Sequence, residues 1–301
     1  MTDHASDIPD DGPLAGLLTA LDLTDTGART SEDISTGPSQ WMPMGRVFGG
    51  QVLAQSLVAA MRTTDADRRP HSMHGYFLRP GDVTKPITFS VDRIHDGRSF
   101  STRRTQAYQD GRPILSMIAS FQDADEGLEH QAPMPEGIPE PESLPSAHDV
   151  LSRIDHPVAA HWANDRPFDM RHVEQPVYFG AAPDRVAHQA VWIRAIGRLP
   201  DDPAVHLASL AYASDYSILE SIYRRHGLSW ATPGIKAASL DHAMWFHRFG
   251  RADEWMLYVQ ESTSAQGGRG LSLGRIYSRD GVLLASVAQE GMVRVPLADR
   301  A

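Results

Sequence analysis

The chain has 301 residues, 41% hydrophobic and 22% charged, a globular balance that excludes collagen-like or wholly disordered classes. Its net charge of -10 argues against a sequence-independent grip on nucleic acid, and the absence of cysteine excludes disulfides, thiolate metal sites and a cysteine nucleophile. At this length two units of similar size are expected.

The first eleven residues are acidic and lack the basic and apolar regions of a secretory signal. There is no apolar run of about 18 residues, and the final Asp299-Arg300-Ala301 is not a peroxisomal ending. These features predict a cytoplasmic protein without a membrane span.

In chain order, Gly49-Gly50-Gln51 precedes a helix predicted over 51–61, whose Val52, Leu53, Leu57, Val58 and Met61 are apolar. Bare glycine backbone there lets a ligand carbonyl approach N–H groups that lack helical partners; a tight turn explains the tripeptide equally well. His71 and His74 lie in a predicted strand, where residues three apart face opposite ways and do not share a metal. His74 alone is kept as a candidate binding residue. The stretch 109–118 reads as an Asp110-Gly111 turn entering a strand. Between Asp123 and about Pro167, prolines and acidic residues mark a connection.

Beyond the connection the pattern recurs. A helix is predicted from Asp215 to His226, with Ile218, Leu219, Ile222 and Tyr223 on one stripe and Asp215 in the N-cap place. His74 to Arg79 corresponds to His242 to Arg248, and the Asp110-Gly111 turn to Asp280-Gly281, an offset of 280 - 110 = 170. Each unit therefore reads as a helix followed by antiparallel strands. Gly270, Ser272 and Gly274 match a serine-hydrolase pattern, but no histidine follows them, so they read as a glycine-rich strand end. Gln289 shares a strand face with Leu283, Ala285, Val287, Gly291 and Val293, where an unpaired amide is costly and partners are required. The alternation around Ser239 assigns it to neither face.

The runs Arg46 to Val52, His71 to Gly81, Val191 to Arg194, Tyr212 to Asp215, Leu240 to His247, Glu261 to Thr263 and Gln289 to Gly291 together resemble the acyl-CoA thioesterase II (TesB-like) family over residues 40–295. The resemblance implies an α+β double hotdog fold, two tandem units each with an antiparallel sheet wrapped around a central helix. The units are expected at 1–122 and 168–301, joined by 123–167. It further implies hydrolysis of fatty acyl-CoA to free fatty acid and CoA, with a water-activating trio carried over to Asp215, Ser239 and Gln289. By the offset of 170, Ala119 stands where the first half would need a second Gln289, so only the second half supplies the carboxylate.

Gly49, Gly50, Gln51 and His74 are the expected substrate-binding residues, and Arg98, Arg103, Arg104, Arg269 and Arg275 are candidates for the CoA phosphates. No metal or other cofactor is expected, and a homo-oligomer is. The alternative functions are a hotdog hydratase or dehydratase, which would call for a histidine and acid pair, and a noncatalytic acyl-CoA-binding protein.

Overall fold

The computed structural model describes residues 12–27 and 32–296; the acidic start and the Asp299-Arg300-Ala301 end lie outside them. The first half runs α1 (Pro13–Leu21), β1 (Thr24–Asp25), β2 (Asp33–Gly37), α2 (Gly49–Met61), β3 (Arg69–Phe77), β4 (Ile87–Asp96), β5 (Phe100–Gln109) and β6 (Arg112–Gln122). A 3-10 turn at Pro141–Ser143 and helices α3 (Ala147–Leu151) and α4 (Pro157–Asn164) follow. The second half comprises β7 (Phe168–His172), β8 (His188–Ala195), α5 (Pro203–Ser214), α6 (Glu220–His226), β9 (Lys236–Ser239), β10 (Asp241–Phe246), β11 (Met256–Gln266), β12 (Arg269–Ser278) and β13 (Leu283–Arg294).

The strands form one antiparallel sheet in the order β1-β2-β4-β5-β6-β3-β10-β13-β12-β11-β8-β7, with β9 paired to β13. The halves meet where β3 runs antiparallel to its counterpart β10, His74 facing Ala243 and Met73 facing Met244. The repeat seen in the sequence is also a repeat of register. Met73 pairs with Ala119 in one half and Ala243 with Ala288 in the other, offsets of 243 - 73 = 170 and 288 - 119 = 169. Asp110 and Gly111, at φ 49 and 70, form the expected turn between β5 and β6.

Each half-sheet wraps helix, and the two halves make the double hotdog architecture. Strands β3 to β6 pack on α2, strands β8, β11 and β12 pack on α6, and α2 and α5 pack side by side. The core runs through this layer, from Leu53 and Leu57 on α2 to Leu210 and Ile222 on α5 and α6. Among the described residues no helix is long and apolar enough to cross a membrane.

Two sequence expectations need correction. The second half does not place a single helix at 215–226. Helix α5 runs Pro203–Ser214, the chain turns through residues 215–219, and α6 begins at Glu220. The residues of α5 from His206 to Ser214 are buried throughout, so no polar stripe marks the helix. Its one local signal is Asp202-Pro203, where the aspartate side chain accepts from Ala204 N and the proline sits in the first turn. Nor does either unit begin with its helix, since β1 and β2 precede α2 and β7 and β8 precede α5.

Candidate active site

Asp215 closes α5 as its C-cap instead of opening the next helix, so the N-cap role expected from the sequence does not hold. Its partners come from elsewhere in the fold. The N-cap of α2, Phe48, supplies no side-chain bond, and the backbone N–H of Gly50 faces the Asp215 carboxylate and lowers its pKa. A carboxylate from one half thus sits at the N-terminus of the other half's helix, where orphan N–H groups and the helix dipole favour negative charge. The glycines permit this approach. A Cβ on Gly49 would lie 2.6 Å from Asp215 Oδ2, and one on Gly50 would lie 2.2 Å from the Tyr212 carbonyl oxygen.

The turn that carries Asp215 is fixed by buried polar groups. Gln260 Nε2 donates to Ser217 Oγ at 2.6 Å, and Gln189 Nε2 lies 3.2 Å from Ser217 O and 3.0 Å from Glu220 Oε2. Glu220 also takes bonds from His172 and Trp230. These contacts replace the helical bonds lost where α5 ends.

Strand pairing brings the other two members of the trio to the carboxylate. Ser239 on β9 faces Gly291 on β13, two residues along the strand from Gln289 and on the same face. Gln289 Nε2 donates to Asp215 Oδ1 at 2.8 Å and to Ser239 Oγ at 2.9 Å, while Ser239 Oγ donates to Asp215 Oδ1 at 3.2 Å. Burial lifts the Asp215 pKa from 3.8 to about 6, against the lowering effect of the bonds from Gln289, Ser239 and Gly50.

His242 completes the arrangement, and the sequence reading missed it. It is fully buried on β10, with Nδ1 bonded to Gln289 Oε1 and Nε2 3.0 Å from Ser214 Oγ. An ionised Asp215 only accepts, so Gln289 must turn its NH2 toward it and its oxygen toward His242. That places the imidazole proton on Nδ1. Burial lowers the His242 pKa to about 4, with the Gln289 bond opposing, so the ring is neutral at pH 7. The available signal was its alternation with apolar Met244 and Phe246 on one face of β10.

Asp215 and Ser239 open into a cavity of about 770 Å³, walled by α2, the 40–48 and 77–81 segments, α4, Tyr212, Tyr216, Leu219 and Trp230. Of the expected binding residues, Gly49 lines this cavity and Gly50 meets Asp215 from behind it. Gln51 is buried, its amide bonded to Pro38 O, Gln40 N and Gln55, so it anchors the 38–40 segment. His74 is exposed on the outer face of the sheet, its ring edge-on to Trp245 at 5.0 Å, away from the cavity.

The arginine candidates do not reach the cavity either. Arg103 is buried against Thr63 and Asp96, Arg104 pairs with Asp92, Arg269 pairs with Glu290, and neither Arg98 nor Arg275 is in the cavity wall. The arginines that line it are Arg46, Arg79 and Arg166. Gly270 and Gly274 of the hydrolase-like pattern are strand residues that let Ile222 and Tyr258 pack against β12. Ser272 between them is buried, bonded to Ser221.

Fold and site together define a double hotdog protein with a carboxylate, hydroxyl and amide grouped at a helix N-terminus over one cavity. Comparison with known proteins gives the family. Residues 160–292 match the model of the acyl-CoA thioesterase family, and residues 38–122 that of the acyl-CoA thioesterase N-terminal domain. The chain is 38% identical to acyl-CoA thioesterase 2 of Haemophilus influenzae, covering 87% of this chain and 92% of that one. It is 38% identical to human acyl-coenzyme A thioesterase 8, covering 88% and 85%. The crystal structure of an acyl-CoA thioesterase II from Mycobacterium marinum is 40% identical, with a TM-score of 0.75, covering 95% and 100%. The chain belongs to the acyl-CoA thioesterase family, hydrolases that act on thioesters.

Proposed function

We propose that the protein hydrolyses fatty acyl-CoA to free fatty acid and CoA by carboxylate-assisted attack of water, with Asp215 as the base. The observation that carries this reading is the Asp215, Ser239 and Gln289 cluster opening into a cavity large enough for an acyl group. Gln289 and Ser239 occupy Oδ1, while Oδ2 is directed at Gly49 on the cavity wall. Oδ2 takes one proton from water as the water oxygen bonds to the thioester carbon. Gln289 and Ser239 fix the carboxylate through Oδ1, so that Oδ2 holds that water in line. Negative charge moves onto the acyl oxygen, which faces the N-terminus of α2 at Gly49.

When the carbonyl re-forms, the C–S bond breaks and CoA leaves as a thiolate. A thiol of pKa near 8.5 needs little acid assistance. The proton on Asp215 then passes to the thiolate or to solvent, restoring the base. No covalent acyl-enzyme is required. The same cavity wall contains His161, 2.8 Å from Asp165, a histidine and acid pair of the type a hydratase would use. Incubation with saturated and enoyl-CoA esters separates the readings. Thiol release from the saturated ester supports hydrolysis; loss of enoyl absorbance without thiol release would replace it with hydration.

A homo-oligomer belongs to the same proposal. An apolar row of Tyr76, Ile118 and Trp245, 63%, 47% and 38% exposed, lies beside His74 on the outer face where the two halves join. A second copy of the chain would cover it.

A further inference from the structure

Arg166, just beyond α4 in the cavity wall, has no part in the arrangement described above. Its guanidinium lies 4.8 Å from the Trp162 ring centre, 4.9 Å from that of Tyr216 and 5.8 Å from that of Tyr178. Ring faces stabilise a cation and fix its plane, but they do not satisfy the five in-plane N–H donors. Nη1 reaches the Met170 sulfur at 3.8 Å, the side chain also faces the Tyr178 hydroxyl, and Nε is buried without a partner.

The two fully buried arginines are treated differently from the half-buried Arg166, since Arg103 is matched to Asp96 and Arg224 to Asp184. The two acids in the cavity wall are already engaged, Asp165 with His161 and Asp215 with the trio. A cation held among rings, its Nε unpartnered and no acid paired with it, is preorganised for a planar anion.

We propose that Arg166 receives a carboxylate at the far end of the acyl group, so that dicarboxylic acyl-CoA esters of one matching length are preferred over their neutral counterparts. This rests on the thioesterase reading. A CoA phosphate offers similar anionic chemistry, but exposed Arg46 and Arg79 stand in the cavity wall for that group. Arg166 instead lies among Trp162, Tyr216 and Trp230, with Tyr216 adjoining Asp215 in the chain. The fixed separation of Arg166 from Asp215 selects the acyl length.

The test is kcat/KM for dicarboxylic acyl-CoA esters from succinyl to sebacyl, each beside the monocarboxylic ester of equal carbon count. The same acyl groups are also assayed on N-acetylcysteamine, which carries no phosphate. The parent should favour the dicarboxylic ester by about tenfold or more at one length, the usual worth of a charged hydrogen-bonded pair. That ratio should survive on N-acetylcysteamine. It should fall to about one or below in Arg166→Met and be partly kept in Arg166→Lys.

A parent ratio of one or less at every length, with neutral esters hydrolysed, overturns the assignment and leaves the thioesterase reading standing. So does a ratio that persists in Arg166→Met. Equal losses on both kinds of CoA ester that vanish on N-acetylcysteamine would give Arg166 to a phosphate instead. Failure of the parent to release thiol from any ester would remove the thioesterase reading and this inference together.

Discussion

Asp215, half-buried at the cavity wall, and His242, fully buried, have opposite shifts, and both reach the same amide. Asp215 must be ionised to act as base, so kcat/KM should fall below a pH of about 6 and level off above it. A pH–rate profile that is flat through this range would contradict the role. The linked effect on stability has a definite sign. A carboxyl raised from 3.8 to about 6 binds more protons folded than unfolded between those values, so its burial lowers stability as pH rises through that window. The penalty at pH 7 is on the order of 3 kcal/mol. His242, lowered from 6.5 to about 4, acts oppositely, because stability is lost as pH falls through its window. The two slopes offset each other in the parent. Asp215→Asn removes one of them, so its melting temperature should rise relative to the parent from pH 4.5 to 7.5; a constant difference would show that Asp215 carries no such shift.

His242→Leu removes the donor that fixes Gln289, so kcat should drop by roughly tenfold, about one hydrogen bond, and the acid limb should move to higher pH. His242→Asn keeps a donor near the Nδ1 position and should recover most of both. A purely structural histidine would lower the melting temperature without moving the limb. The need of Gln289 for partners was legible from its apolar strand face, and the same argument applied to His242. Its identity as the partner was not, because that depends on the pairing of β10 with β13.

At the scale of elements, the decisive contact is the N-terminus of α2 against the end of α5. The sequence marked Gly49-Gly50 as a place of close approach but left turn and ligand site open. The structure shows close approach to another helix, which no local pattern reveals. Gly50→Ala would place a methyl group 2.2 Å from the Tyr212 carbonyl oxygen, which backbone cannot yield cheaply. It should destabilise by about 1–3 kcal/mol, as forced overpacking does, and lower turnover by displacing Asp215. Gly127→Ala, with nothing within 4 Å of the added carbon, serves as the control in the same thermal melts. Equal melting of the two variants would mean that α2 is free to shift. The break at 215–219 was equally hidden, because Gln189, Gln260 and Glu220 hold it from distant strands and from α6.

At the scale of the whole molecule, the duplication was readable because a strand register repeats as an offset in sequence, whereas the cavity was not. Its wall is assembled from residues as far apart as Gly16, Val52, Trp162 and Leu240, and only the folded sheet brings them together. The arginines singled out from the sequence lie outside that wall, and strand pairing sets three of them against carboxylates, Arg103 with Asp96, Arg104 with Asp92 and Arg269 with Glu290. Light scattering should give a mass above the 33.1 kDa of one chain; a single-chain mass would leave the outer row of Tyr76, Ile118 and Trp245 without a partner copy. The central claim is tested most directly by steady-state thiol release from a saturated acyl-CoA by the parent and by Asp215→Asn. The account predicts that the parent turns over and that the variant, still folded, falls by about 10² to 10⁴ in kcat, the range of a positioned general base. A folded Asp215→Asn enzyme within about threefold of the parent, less than 1 kcal/mol in barrier, would contradict it.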